Sequence, residues 1–189
     1  MIRIGILGDI GSGKSYVASK FGYPVFNADY EVARLYQQNK KIFTKLKKIL
    51  PKYFHSFPIK KEEISNVILA NKNNLNKIVK IVHAEVRKKM NLFLRKNKNK
   101  KIVILDIPLL LENKINKKKD ILIFVQSKKS EIVKRLKKRK NFNQKLLKKF
   151  KSIQYSTNYK KKKSDYIIKN NFTKKSINHG IRNILKEIT

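Results

Sequence analysis

Apolar residues in this chain fall into two patterns, short continuous runs and recurrences three or four positions apart. Ile2 to Leu7, a short apolar run interrupted by Arg3 and Gly5 and bounded by glycine, is of the first kind and predicts a buried strand. Pro24 to Asn27 predicts a short second strand. Lys101 to Asp106 and Asp120 to Val125 are the clearest internal strands, and Tyr166 to Ile168 adds another. Because the longer runs do not alternate with polar residues, they suit central parallel strands covered by helices on both faces. Helical signals begin after Gly13. Between Asp29 and Leu50 the apolar positions are Val32, Leu35, Ile42, Phe43, Leu46 and Ile49, compatible with one helix or a broken pair. From 51 to 100, Ile64, Ile68, Leu75, Ile78, Ile81, Val82, Val86 and Met90 recur at helical intervals in a polar background and predict a mostly helical insertion. Ser130 to Lys163 reads as a basic helical region with a break near Lys140 to Asn143, and Lys174 to Ile188 as a C-terminal helix. No period of 20 to 50 residues repeats. Strands alternating with helices predict an α/β fold with a helical lobe and a basic flap.

Composition narrows the chemistry more than the fold. The 189 residues suit one compact domain with an inserted lobe, and 41% hydrophobic content supplies a core. With no cysteine, disulfides, thiolate metal sites, iron–sulfur clusters and cysteine nucleophiles are excluded. Three scattered histidines argue against a structural zinc site. Met1 to Gly5 leads straight into a glycine-rich loop without the pattern of an export signal, and nowhere do 18 apolar residues follow one another. A cytoplasmic protein with no membrane partner is expected.

The formal net charge of +36 invites a nucleic-acid partner, since a basic surface attracts a polyanion through its phosphates. Composition weakens that reading. Lysine occurs 41 times and arginine 7, while isoleucine (25) and asparagine (19) are also inflated, as a coding bias towards A/T-rich codons would produce. Surfaces that read nucleic acid favour arginine, whose planar fork makes bidentate contacts that lysine cannot reproduce. Nucleic acid is therefore not favoured.

Gly8-Asp-Ile-Gly11-Ser-Gly13-Lys14-Ser15 has the glycine, four residues, glycine, lysine, serine spacing of a phosphate-binding loop and lies between a predicted strand and helix. Such a loop turns successive backbone N–H groups towards phosphates, and the helix N-terminus adds a favourable field. The expected nucleotide-binding residues are Gly8, Asp9, Ile10, Gly11, Ser12, Gly13, Lys14, Ser15 and Tyr16. Lys14 should reach the β and γ phosphates and Ser15 a magnesium ion. Asp9 would be unfavourable facing the phosphates, so its side chain is expected to face outward. Asp106 ends the strongest strand, at the carboxyl edge where ligands bind in open parallel sheets, and either holds magnesium or caps a turn. Asp29 lies just after the second strand; it suits contact with an acceptor hydroxyl, or is a helix N-cap. Arg135 and Arg139, four apart, should share a helix face and neutralise a transferring phosphoryl group, or belong to a solvated basic helix. Arg34, His83 and Arg87 could grip an anionic acceptor, although His83 taken alone reads more readily as a packed or surface histidine than as a catalytic base.

Taken in order, several segments resemble the dephospho-coenzyme A kinase family. They are Gly8 to Ser15; Asn27-Ala-Asp29 with Ala33-Arg34; His83 with Arg87; Leu105-Asp-Ile-Pro-Leu-Leu-Leu-Glu112; Arg135 with Arg139; Gln154; and Ser164 to Asn170. The resemblance spans essentially the whole chain. It implies a P-loop kinase fold, a five-stranded parallel sheet flanked by helices with a helical substrate-binding lobe and a lid. The expected domains are 1–28 with 101–127 and 164–189 as the nucleotide-binding core, 29–100 as the helical acceptor-binding domain and 128–163 as the lid. The implied reaction moves the γ-phosphoryl of ATP, with magnesium, to the ribose 3′-hydroxyl of dephospho-CoA, the last step of coenzyme A synthesis. By the same resemblance Asp29 is placed near that hydroxyl, while Asp106, Pro108, Leu109, Leu110 and Glu112 lie on the acceptor side. Asn170 is placed near the adenine, and a monomer is the family default. The chain departs from the family's usual residues at Asp9, Asn27, Asn66, Ala84 and Asn171-Phe172. A nucleoside or nucleoside-monophosphate kinase would share the ATP machinery; a nucleic-acid-binding ATPase or an inactive ATP binder would share the loop.

Overall fold

The computed structural model describes residues 1–139 and 142–189, with the main chain only at Lys72. Of the break expected near Lys140 to Asn143, Lys140 and Asn141 lie outside the described residues. The element order is β1 (Ile2–Gly8), α1 (Lys14–Lys20), β2 (Val25–Asn27), α2 (Ala28–Gln38), α3 (Lys40–Ile49), α4 (Lys61–Ala70), α5 (Lys72–Lys96), β3 (Ile102–Asp106), β4 (Ile121–Gln126), α6 (Lys129–Lys137), α7 (Gln144–Ser152), α8 (Thr157–Lys162), β5 (Tyr166–Lys169) and α9 (Lys174–Ile188). Two compact units result, Met1–Asn27 with Asn97–Phe142 and Gln154–Thr189, and Ala28–Lys96 with Asn143–Ile153.

The first unit is built on a five-stranded sheet in the order β2-β3-β1-β4-β5. Every pairing is parallel. The predicted continuous runs supply it: Ile4, Ile6, Ile102, Ile104, Ile123 and Val125 are almost wholly buried, with Val17 of α1, Phe21 at the C-cap of α1 and Ile177, Ile181 and Ile184 of α9 packed among them. Branched side chains fit a pleated surface, and each fully buried one contributes about 1.5–3 kcal/mol. Gly5 faces Leu110, whose Cδ2 lies 2.5 Å from where a Cβ would stand, so a side chain there would force Leu110, in the turn after β3, to shift. α8 packs on β1.

In the helical unit, Asn39 splits the 29–50 stretch: its side chain accepts from the Ile42 N–H at 3.1 Å and caps α3. Of the two arrangements compatible with the sequence, the broken pair is the one formed. The core of this unit includes Leu35, Ile42, Leu46, Val67, Ile68, Leu75, Ile78, Val82, Val86 and Met90. Asn74, itself buried, donates to the Val67 carbonyl at 3.0 Å across the α4–α5 corner. The 128–163 segment, expected as one lid, is divided between the units, α7 grouping with the helical one and α6 and α8 with the sheet. Among the described residues no helix is long and apolar enough to cross a membrane.

The reason α8 is fixed to the sheet unit is a buried ion pair. Lys160 is 2% exposed; its Nζ meets Glu112 Oε1 at 2.9 Å and donates to Gln154 Oε1 at 2.8 Å. Glu112 Oε1 also accepts the Tyr155 N–H at 2.8 Å. Removing one partner of such a pair strands a charge in a dry setting, which costs about 3–5 kcal/mol. Lys160→Ala should therefore lower the unfolding free energy by about that amount in urea titrations. Lys160→Met combined with Glu112→Gln should recover most of the loss, whereas a purely solvated lysine would give no measurable change in either variant.

Candidate active site

Since all five strands are parallel, their carboxyl ends share one edge, where ligands bind in open parallel sheets. Gly8 opens the loop after β1, Asn27 ends β2, Asp106 ends β3, Ser127 follows β4 and Asn170 follows β5. Asn27 and Asp106 are direct partners in the β2–β3 register, and Asn27 Nδ2 donates to Asp106 Oδ2 at 2.8 Å. Asp106 is 3% exposed. Burial pushes its carboxyl above the usual aspartate range, although a hydrogen bond from Ser15 and the charge of Lys14 pull the other way. Lys14, Ser15 and Asp106 thus converge as the sequence predicts.

The loop itself is strapped from two sides. The Ser12 carbonyl accepts from Ser127 Oγ at 3.0 Å and from Asn170 Nδ2 at 2.8 Å. Gly13, at φ 89°, is the N-cap of α1, and a Cβ there would lie 2.6 Å from Asn170 Nδ2. Glycine is thus required both by the left-handed turn and by the close approach. Lys14 Nζ donates to the carbonyls of Gly8 and Asp9 at 3.2 and 2.8 Å, and Ser12 Oγ is buried without a partner among the described residues. A cation resting on carbonyls, an orphan hydroxyl and a helix N-terminus together fit a phosphate chain. The bonded pair of Ser15 hydroxyl and Asp106 carboxylate offers oxygen donors only, the set that magnesium takes.

The Asp9 carboxylate is half-buried and accepts the Ile10 N–H at 2.7 Å. Two expectations are corrected. Arg135 and Arg139 do not share a helix face, because α6 ends at Lys137 and the Arg139 N–H closes a tight turn onto the Leu136 carbonyl. Its buried positions are Ile132 and Leu136, and the next place on that face holds a basic residue with nothing apolar to bury. Leu110, expected on the acceptor side, is wholly buried against Gly5 and has no surface for a ligand.

The remaining residues fall as follows. Ile10, Gly11, Pro108 and Leu109 are half-buried, and Tyr16 is exposed with Lys20 over its ring. Glu112 holds Lys160 and the Tyr155 N–H. Arg135 lies over the ring of Phe172, 4.4 Å from its centroid. In the helical unit Asp29 is exposed in the first turn of α2, where a carboxylate is favoured by the helix dipole. Arg34 pairs with Glu31 at 3.7 Å. His83 is half-buried and Arg87 exposed one turn later on α5, which packs against α2. Sequence reasoning missed Ser127, Phe172 and Lys160. Only Ser127 carried a usable signal, its place two residues past the end of a predicted strand.

The sequence matches the family model described as dephospho-CoA kinase over residues 2–176. It is 30% identical over 191 aligned residues to the dephospho-CoA kinase of the Wolbachia of Brugia malayi, covering 98% of this chain and 97% of that protein. With the dephospho-CoA kinase of Rickettsia bellii it shares 32% identity over 192 residues, covering 100% and 98%. Among solved structures, TT1252 from Thermus thermophilus matches with a TM-score of 0.77 at 26% identity, covering 100% of this chain and 98% of that one. A dephospho-CoA kinase from Campylobacter jejuni matches with a TM-score of 0.63 at 20% identity, covering 99% and 97%, and shares the fold.

Proposed function

The chain belongs to the dephospho-CoA kinase family, and on that premise we infer that it transfers the γ-phosphoryl group of ATP to the ribose 3′-hydroxyl of dephospho-CoA, giving CoA and ADP. The observation that carries this reading is the convergence of Lys14, Ser15 and Asp106 at the carboxyl edge of the sheet. In the transfer, the acceptor oxygen forms a bond to the γ-phosphorus as the bond to the ADP oxygen breaks, and the hydroxyl proton passes to Asp29. Positioning and charge neutralisation supply most of the catalysis in such reactions.

The loop holds the triphosphate through its backbone N–H groups, and Lys14 leaves the Gly8 and Asp9 carbonyls for the β and γ phosphates. Ser15 and Asp106 are the residues that would hold magnesium, which when bound neutralises charge on the phosphates. Asn27 keeps the Asp106 carboxylate oriented with a hydrogen bond that costs no additional charge. Arg139 and Arg135 neutralise the phosphoryl group in flight, with Arg135 leaving its ring contact to do so. Arg34, His83 and Arg87 grip the anionic acceptor, whose pyrophosphate needs cationic partners. Pro108, Leu109 and Glu112 shape the turn that follows Asp106.

Purified protein with MgATP should form ADP only when dephospho-CoA is added, with one CoA made per ADP. Turnover confined to nucleosides or nucleotides as acceptors, or stimulated by nucleic acid instead, would defeat the assignment.

A further inference from the structure

Tyr155 lies just before α8 and Tyr159 in its first turn, and each leaves 43% of its surface to solvent. Their rings lie 4.8 Å apart, centroid to centroid, at a tilt of 59°. Among the described residues this is the one ring pair with both members exposed; Phe43 and Phe57, the other pair, are half-buried. The backbone that presents the tyrosines is held firmly. Glu112 Oε1 accepts the Tyr155 N–H at 2.8 Å, Ser156 Oγ accepts the Tyr159 N–H at 3.2 Å, and the Lys160 side chain is locked in its buried ion pair between them in space and sequence with the rest of the turn. Rings on a backbone that is already ordered lose little freedom when a ligand covers them.

Lysine surrounds the pair. With Lys160 turned inward, Lys161, Lys162 and Lys163 are left exposed, and Lys163 Nζ lies 5.9 Å from the centroid of the Tyr159 ring. No acidic residue occurs between Glu131 and Asp165, and the Asp165 carboxylate is engaged by the Leu122 N–H at 2.7 Å. Flat apolar rings and positive charge with no carboxylate from its own stretch of chain therefore stand side by side. A second copy of this chain, also at +36, is repelled by such a face. An acidic peptide satisfies the lysines and leaves the rings without a flat partner. In a duplex the base faces are closed by stacking, whereas a single strand offers phosphates to the lysines and open base faces to the tyrosines. Lysine abundance alone does not single out nucleic acid; the paired rings among the lysines do.

We propose that Tyr155 and Tyr159, with Lys161, Lys162 and Lys163, form a platform that binds single-stranded nucleic acid by base stacking and phosphate contact, without sequence preference. Phosphoryl transfer uses none of these side chains, so this binding is an additional activity of the chain.

Fluorescence anisotropy with the full chain tests it, using a labelled oligothymidylate of about 20 nucleotides, the same strand annealed to oligodeoxyadenylate, and inorganic polyphosphate as a competitor that has charge but no bases. Tyr155→Leu combined with Tyr159→Leu should weaken single-strand binding by about 5- to 150-fold, the range for lost stacking, and leave duplex and polyphosphate affinities within about twofold. Phenylalanine at both positions should preserve all three. Both tyrosines are exposed, so the variants should fold as the unaltered chain does, and matching circular dichroism checks this. Lys161→Gln, Lys162→Gln and Lys163→Gln together should weaken single-strand binding and flatten the slope of log affinity against log salt by about 2. Equal losses for all three ligands in the leucine variant, or no loss for the single strand, would overturn the platform and leave attraction by net charge alone. An unchanged salt slope in the glutamine variant would overturn it as well.

Discussion

Asp29→Asn is expected to lower kcat for phosphoryl transfer to dephospho-CoA by about 10²- to 10⁴-fold, the range associated with a positioned general base. Affinity for MgATP should stay within about threefold, because the triphosphate is held by the loop and by Lys14, not by this carboxylate. Asparagine keeps the size of the side chain and its place in the first turn of α2, so the loss reports on proton acceptance and orientation of the hydroxyl. Steady-state kinetics with both substrates varied, together with direct titration of MgATP, separate the two quantities. Activity comparable to that of the unaltered protein would remove Asp29 from the role given to it.

Asp106→Asn should lower kcat by about 10²- to 10³-fold and raise the magnesium concentration needed for half-maximal rate. The reasoning starts from the environment of the carboxylate. Burial disfavours its charge, yet Ser15 donates to it, Lys14 lies nearby and Asn27 donates at 2.8 Å. Such an arrangement is worth keeping only where the charge is used, and a dication is the ligand that profits most from it. The amide variant can still accept the Asn27 hydrogen bond, so folding should be little disturbed. An unfolding midpoint equal to that of the unaltered chain, alongside the kinetic loss, would assign the effect to magnesium and phosphate chemistry; an unchanged magnesium requirement would refute it.

The strands were legible because their isoleucine and valine runs are continuous, and a continuous run bounded by turns leaves few alternatives in a chain that also carries helical spacings. The phosphate loop was legible for a different reason, its spacing being dictated by the geometry of backbone N–H groups around phosphate. Asp29 and Asp106 stood out because only 12 acidic residues occur. Other parts left no local trace. Lys160 sits in a run of four lysines at 160–163 and reads as solvated, and only its approach to Glu112 across the fold makes it a buried partner. Arg139 was misplaced because four-residue spacing implies a shared face only while the helix continues, and α6 lacks an apolar residue to anchor another turn.

The bond from Asn170 to the Ser12 carbonyl joins residues 158 positions apart. During synthesis the N-terminal strand and its loop leave the ribosome long before their strap exists, since chains emerge at about 5–20 residues per second. The loop therefore spends roughly ten seconds or more of its early life without Asn170, on that rate. Affinity for nucleotide is consequently a late acquisition of the nascent chain, gained when β5 docks beside β4 rather than when the loop itself is made. Ribosome-bound chains halted before Asn170 clears the exit tunnel should retain nucleotide poorly, and those carried past that point on an appended C-terminal linker, so that β5 docks, should retain it as the finished protein does.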